Sequence, residues 1–534
     1  MKKYFTGLIQ SNWFFVSLLV FVLVLPLSEA LVSIFAGVVF VTAITEDTWK
    51  NKVARIKSRR IILLIPAIYL VYIISTIATL KYDHSFYDLR KVLFYLLFPL
   101  AFGFGKELND QQKRFVLFTF TGSVLFAMIV SLVKWIIYPH DGNFSVHNIS
   151  LISHIRFSFQ LILVIWFLVF FSIFSYSKLK LKQLYLAGIV VTFTFAYLVF
   201  QQSLTGILAF ITSGLFFLFY LFNKTKGEYK VPLIVAFLLL IIVPAVYVLQ
   251  VIKNFYKIDW VDQETIDLYT EEGNAYQHDF NNKMIENGHY VGLYVCEKEM
   301  REAWNKRSAV KYDSIETNGY PVSATLIRYL TSKGYRKDAK GVEALKQQDI
   351  QNVEKGMANY IFQRKYSLYP RIYQTIWEYY VYTQTGYSNH QSFSQRIEFA
   401  KAAITIIKKY PLLGVGTGRW KQEFAIAFKE NNSRLDESLY ASSHNQYLNY
   451  MVKFGIVGFL LIMFLLVYPV VKTKRYSDPL FMVFLVFMFF ANFADSNLES
   501  HMGSSFFFFF YCFFMFGSIS YLKLDEAGKS LIKD

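Results

Sequence analysis

Residues 392–418, SFSQRIEFAKAAITIIKKYPLLGVGTG, and residues 442–459, SSHNQYLNYMVKFGIVGF, carry the chain from a polar segment into an apolar one. In the first stretch Ile397, Ala400, Ile404 and Ile407 recur at helical spacing, and Ser392 with Gln395 three residues on has the form of a capping box. Lys408 and Lys409 suit the negative end of that helix, and Pro411 stops it. The second stretch turns apolar after its polar opening, so His444 stands at the mouth of a segment suited to a membrane.

Outward from there the chain has the composition of an integral membrane protein. Of its 534 residues 54% are hydrophobic and 19% aromatic, and mean hydropathy is positive. About twelve apolar runs approach the length needed to cross a hydrocarbon core. They lie near 9–26, 28–46, 61–80, 91–105, 115–138, 156–176, 183–200, 204–222, 232–253, 451–471, 478–496 and 504–522. The first is soon followed by a second and lacks a small-residue cleavage site, so it reads as a retained span. The net charge of +17 is spread as short basic clusters between apolar runs, a pattern of membrane orientation and not of a nucleic-acid partner. The two cysteines, Cys296 and Cys512, form no CxxC or Cys/His cluster, so no zinc site is expected.

The charge alternation orients the spans. With the N-terminus inside, every inner connection is basic: Lys50 to Arg60, Lys106 to Arg114, Lys178 to Lys182, Lys224 to Lys230, and Lys472 to Arg475. The outer connections are poorer in Lys and Arg. The expected fold is an all-α polytopic membrane protein, N-in and C-in. Residues 1–253 hold nine spans, 254–443 form an outer loop, 444–522 hold the last three spans, and 523–534 are a cytoplasmic tail. The loop is of domain size, with helical periodicity in SATLIRYLTSKG and VEKGMANYIFQRKY, so it is expected to be mostly helical.

Three features carry chemistry. Arg396, in the first turn of its helix, fits first a surface arginine on an amphipathic helix, and second a bidentate clamp for a phosphate. PLLGVGTG, with Gly416 at its centre, permits a tight turn or a close backbone approach; it lacks the Walker lysine and serine and follows no strand, and its outer position is away from nucleotides. His444 fits a structural hydrogen-bonder at the membrane surface, and it is also the side-chain type suited to proton transfer near neutral pH. Asn445 and Tyr447 stand beside it.

The arginine-led helix, PLLGVGTG and SHNQYLNYMVKFGIVGF before a membrane span together resemble the O-antigen ligase and polymerase superfamily, in particular the O-antigen ligases of lipopolysaccharide assembly. The resemblance covers the whole span-and-loop plan, although its motifs concentrate between Arg396 and Gly458. It implies a GT-C-like protein of the bacterial inner membrane with its active site facing the periplasm. It also implies transfer of a polysaccharide from an undecaprenyl diphosphate carrier to the lipid A-core or another glycan acceptor, without cofactor, nucleotide or metal. Carried over, His444 activates the acceptor hydroxyl and Arg396 engages the carrier diphosphate; the chain has no Asp-x-Asp pair. Asn445, Tyr447, Gly416, Arg328 and Glu499 are the further candidates for substrate contact.

Two positions depart from the pattern. Leu204 in QQSLTGILAF stands where many relatives have an arginine, which leaves Arg156, in SHIRFSFQ, as the substitute. Lys453 stands where relatives often have an acid. Asp495 and Glu499, four apart, would share a helical face if their span continues; they fit a histidine orienter, a sugar contact or mere solvation of a span end. The same superfamily chemistry allows a polymerase or a protein O-oligosaccharyltransferase. A lipid-linked glycan flippase is the alternative of another class, which would place ionisable residues mid-span.

Overall fold

Within the described residues all twelve apolar runs are helical, but the helices differ in length. The computed structural model describes residues 12–79, 85–137, 149–174, 179–317, 319–364 and 366–516. The expected tail at 523–534, the C-terminal end of the twelfth run and Lys178 lie outside the described residues. Seven helices are long and apolar enough to cross a membrane: Arg60–Ala78, Asp110–Ile137, His154–Phe174, Leu181–Phe200, Leu204–Lys224, Gly227–Phe255 and Gln446–Lys472. Glu29–Thr45 and Trp49–Ser58 make an eighth candidate, bent by 107° between its halves. Trp13–Val24, Phe94–Phe104, Pro479–Ala494 and His501–Phe516 are apolar and shorter.

The chain forms two compact units. The first holds residues 1–133, 150–240 and 395–534, and the second holds 134–149 and 241–394. Residues 395–443, read from sequence as part of the outer loop, therefore cluster with apolar helices.

The interior of the first unit is aromatic. The run from Phe506 to Phe514 is buried along its whole length, and Phe509 meets Phe21 at 4.6 Å and Phe98 at 5.6 Å between ring centres. Aromatic pairs at such separations add to the area they bury, which suits a helix that must pack on several neighbours at once. The basic connection between the second and third runs also has a structural role. Arg55 Nε donates to the carbonyl of Phe104 at 2.8 Å and Arg59 Nη1 to that of Phe102 at 3.0 Å, satisfying carbonyls at the end of the Phe94–Phe104 helix.

The second unit is less helical than the sequence suggests. From Tyr256 to Cys296 it is mostly irregular, closed by a two-residue hairpin in which Ile285 pairs with Tyr290. Asn287 and Gly288 both have positive φ, as the twist of such a tight hairpin demands. Helices Glu297–Arg307, Val322–Ser332, Ala339–Glu343 and Gln347–Glu354 then enclose one core around Met300, Trp304, Leu326, Tyr329 and Ile350. Tyr369–Thr385 and the start of Ser392–Lys409 complete the unit. Ser392 is already helical and so does not act as the cap; the amide of Phe393 is instead taken by the Glu378 carboxylate at 2.7 Å.

Candidate functional site

The HNQYL sequence builds the start of its helix residue by residue. His444 has φ +49°, a left-handed conformation costly for a residue with a Cβ, and it leads directly into Asn445. Asn445 is the helix cap: its Oδ1 accepts from the amides of Tyr447 at 3.0 Å and Leu448 at 3.1 Å. Gln446 Oε1 accepts from the amide of Leu498 at 2.9 Å, and Tyr447 Oη donates to the carbonyl of Phe489 at 2.8 Å. One turn on, Asn449 Nδ2 donates to Ser496 Oγ at 2.7 Å while its Oδ1 accepts from Ser443 Oγ at 2.6 Å. The motif thus ties the helix mouth to the segment from Asp495 to Glu499.

His444 points Nδ1 at Asp495. Nδ1 and Oδ1 are 3.1 Å apart, and Arg156 Nη1 is 2.7 Å from Asp495 Oδ2. Burial alone would push the Asp495 carboxyl up, but its hydrogen bond to His444 and the Arg156 charge outweigh that and hold it well below the usual carboxylate range. An ionised carboxylate only accepts, so Nδ1 carries the proton of this hydrogen bond and Nε2 is the ring nitrogen that Asp495 leaves unengaged. The imidazole is 42% exposed, against 8% for the Asp495 side chain, so the histidine is the accessible member of the pair. Phe399 stacks on the ring at 5.5 Å. Arg396 is one turn before Phe399 and shares its helix face. It is half-buried and has no ion-pair or hydrogen-bond partner among the described residues.

Below the histidine lies a buried ionic cluster. Lys453 Nζ is 2.5 Å from Asp88 Oδ2 and 2.9 Å from Glu499 Oε1, and all three side chains are under a tenth exposed. Tyr72 Oη donates to the same Glu499 oxygen at 2.6 Å. Glu499 is therefore neutralised by Lys453. The span before it does not continue as a helix to hold Asp495 and Glu499 on one face. It ends at Ala494, Asp495 is extended, and Asn497–Glu499 is a single tight turn.

The glycine run completes a break in the same helix. At Gly455 the Gln446–Lys472 helix leaves helical geometry, with φ +62° and ψ −172°, a region open essentially to glycine alone. The interrupted backbone groups are met by PLLGVGTG. The amides of Val415 and Gly416 each donate at 2.8 Å, to the carbonyls of Val452 and Lys453, while the amides of Ile456 and Val457 donate to those of Pro411 at 2.8 Å and Leu412 at 3.2 Å. A Cβ at Gly455 would overlap the Leu412 carbonyl, and one at Gly414 the backbone of Val452 to Gly455. The far end of the run docks on another helix, where Thr417 N donates to Ser75 Oγ and Gly418 N to Thr79 Oγ1, both at 3.0 Å.

Of the residues read from sequence as site candidates, His444, Asn445, Tyr447, Gly416, Arg156, Glu499 and Arg396 fall in the first unit. Arg156 joins His444 through Asp495, Asn445 acts as a cap, and Gly416 spends its amide on Lys453. Arg328 lies in the second unit, with its guanidinium 2.6 Å from the buried Glu286 and stacked over Trp377. Asp88, Ser443, Phe399 and the Ser75/Thr79 pair were not singled out from sequence. Each touches the motif from a distant or unpatterned position, so no local signal marks them.

The site is thus a helical membrane segment in which the His444 imidazole is braced by the Asp495 carboxylate, which in turn holds Arg156. Residues 354–463 match the family model described as O-antigen ligase, Wzy_C, a match that supports a likeness to the O-antigen ligase-like superfamily. No curated protein matches the chain.

Proposed function

We propose that this protein is an O-antigen ligase-like glycosyltransferase that moves a polysaccharide from undecaprenyl diphosphate to the lipid A-core at the periplasmic face of the inner membrane. The observation that carries this reading is the His444–Asp495–Arg156 array at the mouth of a span, with His444 inside the stretch matched by the O-antigen ligase family model. Nε2 of His444 takes the proton of the acceptor hydroxyl as its oxygen bonds to the anomeric carbon of the donor sugar. The bond from that carbon to the diphosphate oxygen breaks, and the carrier leaves as the diphosphate anion. Asp495 holds the imidazole in the accepting tautomer and stabilises the imidazolium that forms. The unpaired guanidinium of Arg396 faces the charge developing on the leaving group, with Arg156 contributing a second positive charge. The basic inner connections support an N-in, C-in arrangement with about twelve spans and with this chemistry on the outer face.

Purified protein in lipid bilayers, given a defined undecaprenyl diphosphate-linked glycan and lipid A-core, is expected to yield glycan joined to the core and free carrier diphosphate. A ladder of longer glycan on the carrier would instead assign a polymerase, and glycan on protein an oligosaccharyltransferase. Movement of donor across the bilayer without transfer would overturn the reading in favour of a flippase.

A further inference from the structure

The end of the Gln446–Lys472 helix opposite His444, about 40 Å away along its axis, carries a second site. A cavity of about 430 Å³ opens between the connection after that helix and the end of the Trp49–Ser58 helix. Three cations line it: Arg59 from one connection, Lys474 and Arg475 from the other. These two basic segments are more than 400 residues apart in sequence and converge only in the fold.

The cations differ in what they have left to offer. Arg59 is held by the Glu107 carboxylate at 2.5 Å and by the carbonyl of Phe102. Lys474 and Arg475 have no side-chain hydrogen bond or ion pair among the described residues, although Arg475 is half-buried. The acid in the lining, Asp478, turns its Oδ1 to the amide of Phe481 at 3.2 Å and caps the next helix. The hydroxyls of Ser58, Thr473 and Ser477 all donate to backbone carbonyls, so the free donors of the cavity are cationic. Its remaining wall is apolar, from Ile61, Met515 and Phe516, and Leu63 and Val471 nearby are exposed as lipid-facing residues are.

We propose that this cavity binds the phosphate head group of an anionic phospholipid. Lys474 and Arg475 contact the phosphate, and the acyl chains follow the apolar wall into the bilayer. A half-buried guanidinium without a hydrogen bond or ion pair is favoured when an anion meets it, and an anion whose tail is apolar suits a cavity that is cationic on one side and apolar on the other. The site is independent of the transfer chemistry.

Wild-type protein and the K474Q/R475Q variant would be reconstituted into bilayers of phosphatidylcholine with and without phosphatidylglycerol, then scored by retained lipid in native mass spectrometry and by thermal midpoint. Wild type is expected to retain phosphatidylglycerol and to melt higher in its presence, and the variant to retain it on the order of 10-fold to 30-fold less. The charge-conserving K474R/R475K variant should behave as wild type, and equal midpoints in phosphatidylcholine alone show that the variants fold. If the double variant does not fold, R475Q alone is scored in the same way. Equal retention by wild type and variant overturns the proposal, and so does a rise in midpoint caused by inorganic phosphate in detergent but not by phosphatidylglycerol.

Discussion

His444 Nδ1 lies 3.1 Å from Asp495 Oδ1, and the same carboxylate is 2.7 Å from Arg156 through its other oxygen. The histidine is thereby held in one tautomer and one orientation by a residue 51 positions away. Replacing His444 with Ala is expected to lower glycan transfer on the order of 10²-fold to 10⁴-fold while leaving the protein folded. Transfer to core in a defined donor and acceptor assay checks this, and an unchanged rate rejects the role.

Asp495→Asn keeps the shape and removes the charge. Transfer is expected to fall on the order of 10²-fold or more, because the amide no longer selects the accepting tautomer. The pH dependence has a definite sign. The folded-state pKa of Asp495 is depressed, so its contribution to stability is present above the unfolded carboxylate value near 3.9 and is lost as pH falls through the lower folded value. Thermal midpoints of wild type and D495N should differ at neutral pH and converge on strong acidification.

Arg396 and Arg156 should separate by mechanism. Arg396→Ala is expected to cost about 10²-fold to 10³-fold in transfer, and Arg396→Lys to recover only part, since an ammonium lacks the planar fork. Arg156→Ala should reduce transfer and also weaken the thermal midpoint, because it strips a partner from the buried Asp495. Side-by-side rates and midpoints for the three variants test this division.

The splice between the glycine run and the broken helix is a structural prediction. Gly455→Ala places a Cβ against Leu412 and forces a conformation that costs roughly 1–3 kcal/mol before any clash. It should lower the midpoint and displace Lys453, so transfer falls as well. Hydrogen exchange at the amides of Val415, Gly416 and Ile456 is expected to accelerate together, since they belong to one ladder.

Lys453→Met leaves Asp88 and Glu499 buried without their cation, a loss of about 3–5 kcal/mol by the usual penalty for breaking a buried pair. Adding Glu499→Gln and Asp88→Asn should restore much of the midpoint. Failure of the triple variant to recover would show that the cluster does more than neutralise itself.

Sequence alone determined the membrane class, the twelve apolar runs, the basic connections, and the residues of the HNQYL and glycine motifs. Hydrophobic length and charge alternation are local properties, legible wherever they occur. It also located Arg396, His444 and Asp495 individually. Only the tertiary structure decided who meets whom: that Arg156 reaches His444 through Asp495, that Lys453 is buried between Asp88 and Glu499, and that residues 395–443 pack with the apolar helices. The glycine run shows the reason most plainly. Its pattern announces backbone freedom, but the partner that needs it, the break at Gly455 some forty residues on, becomes visible only when both strands of backbone exchange hydrogen bonds.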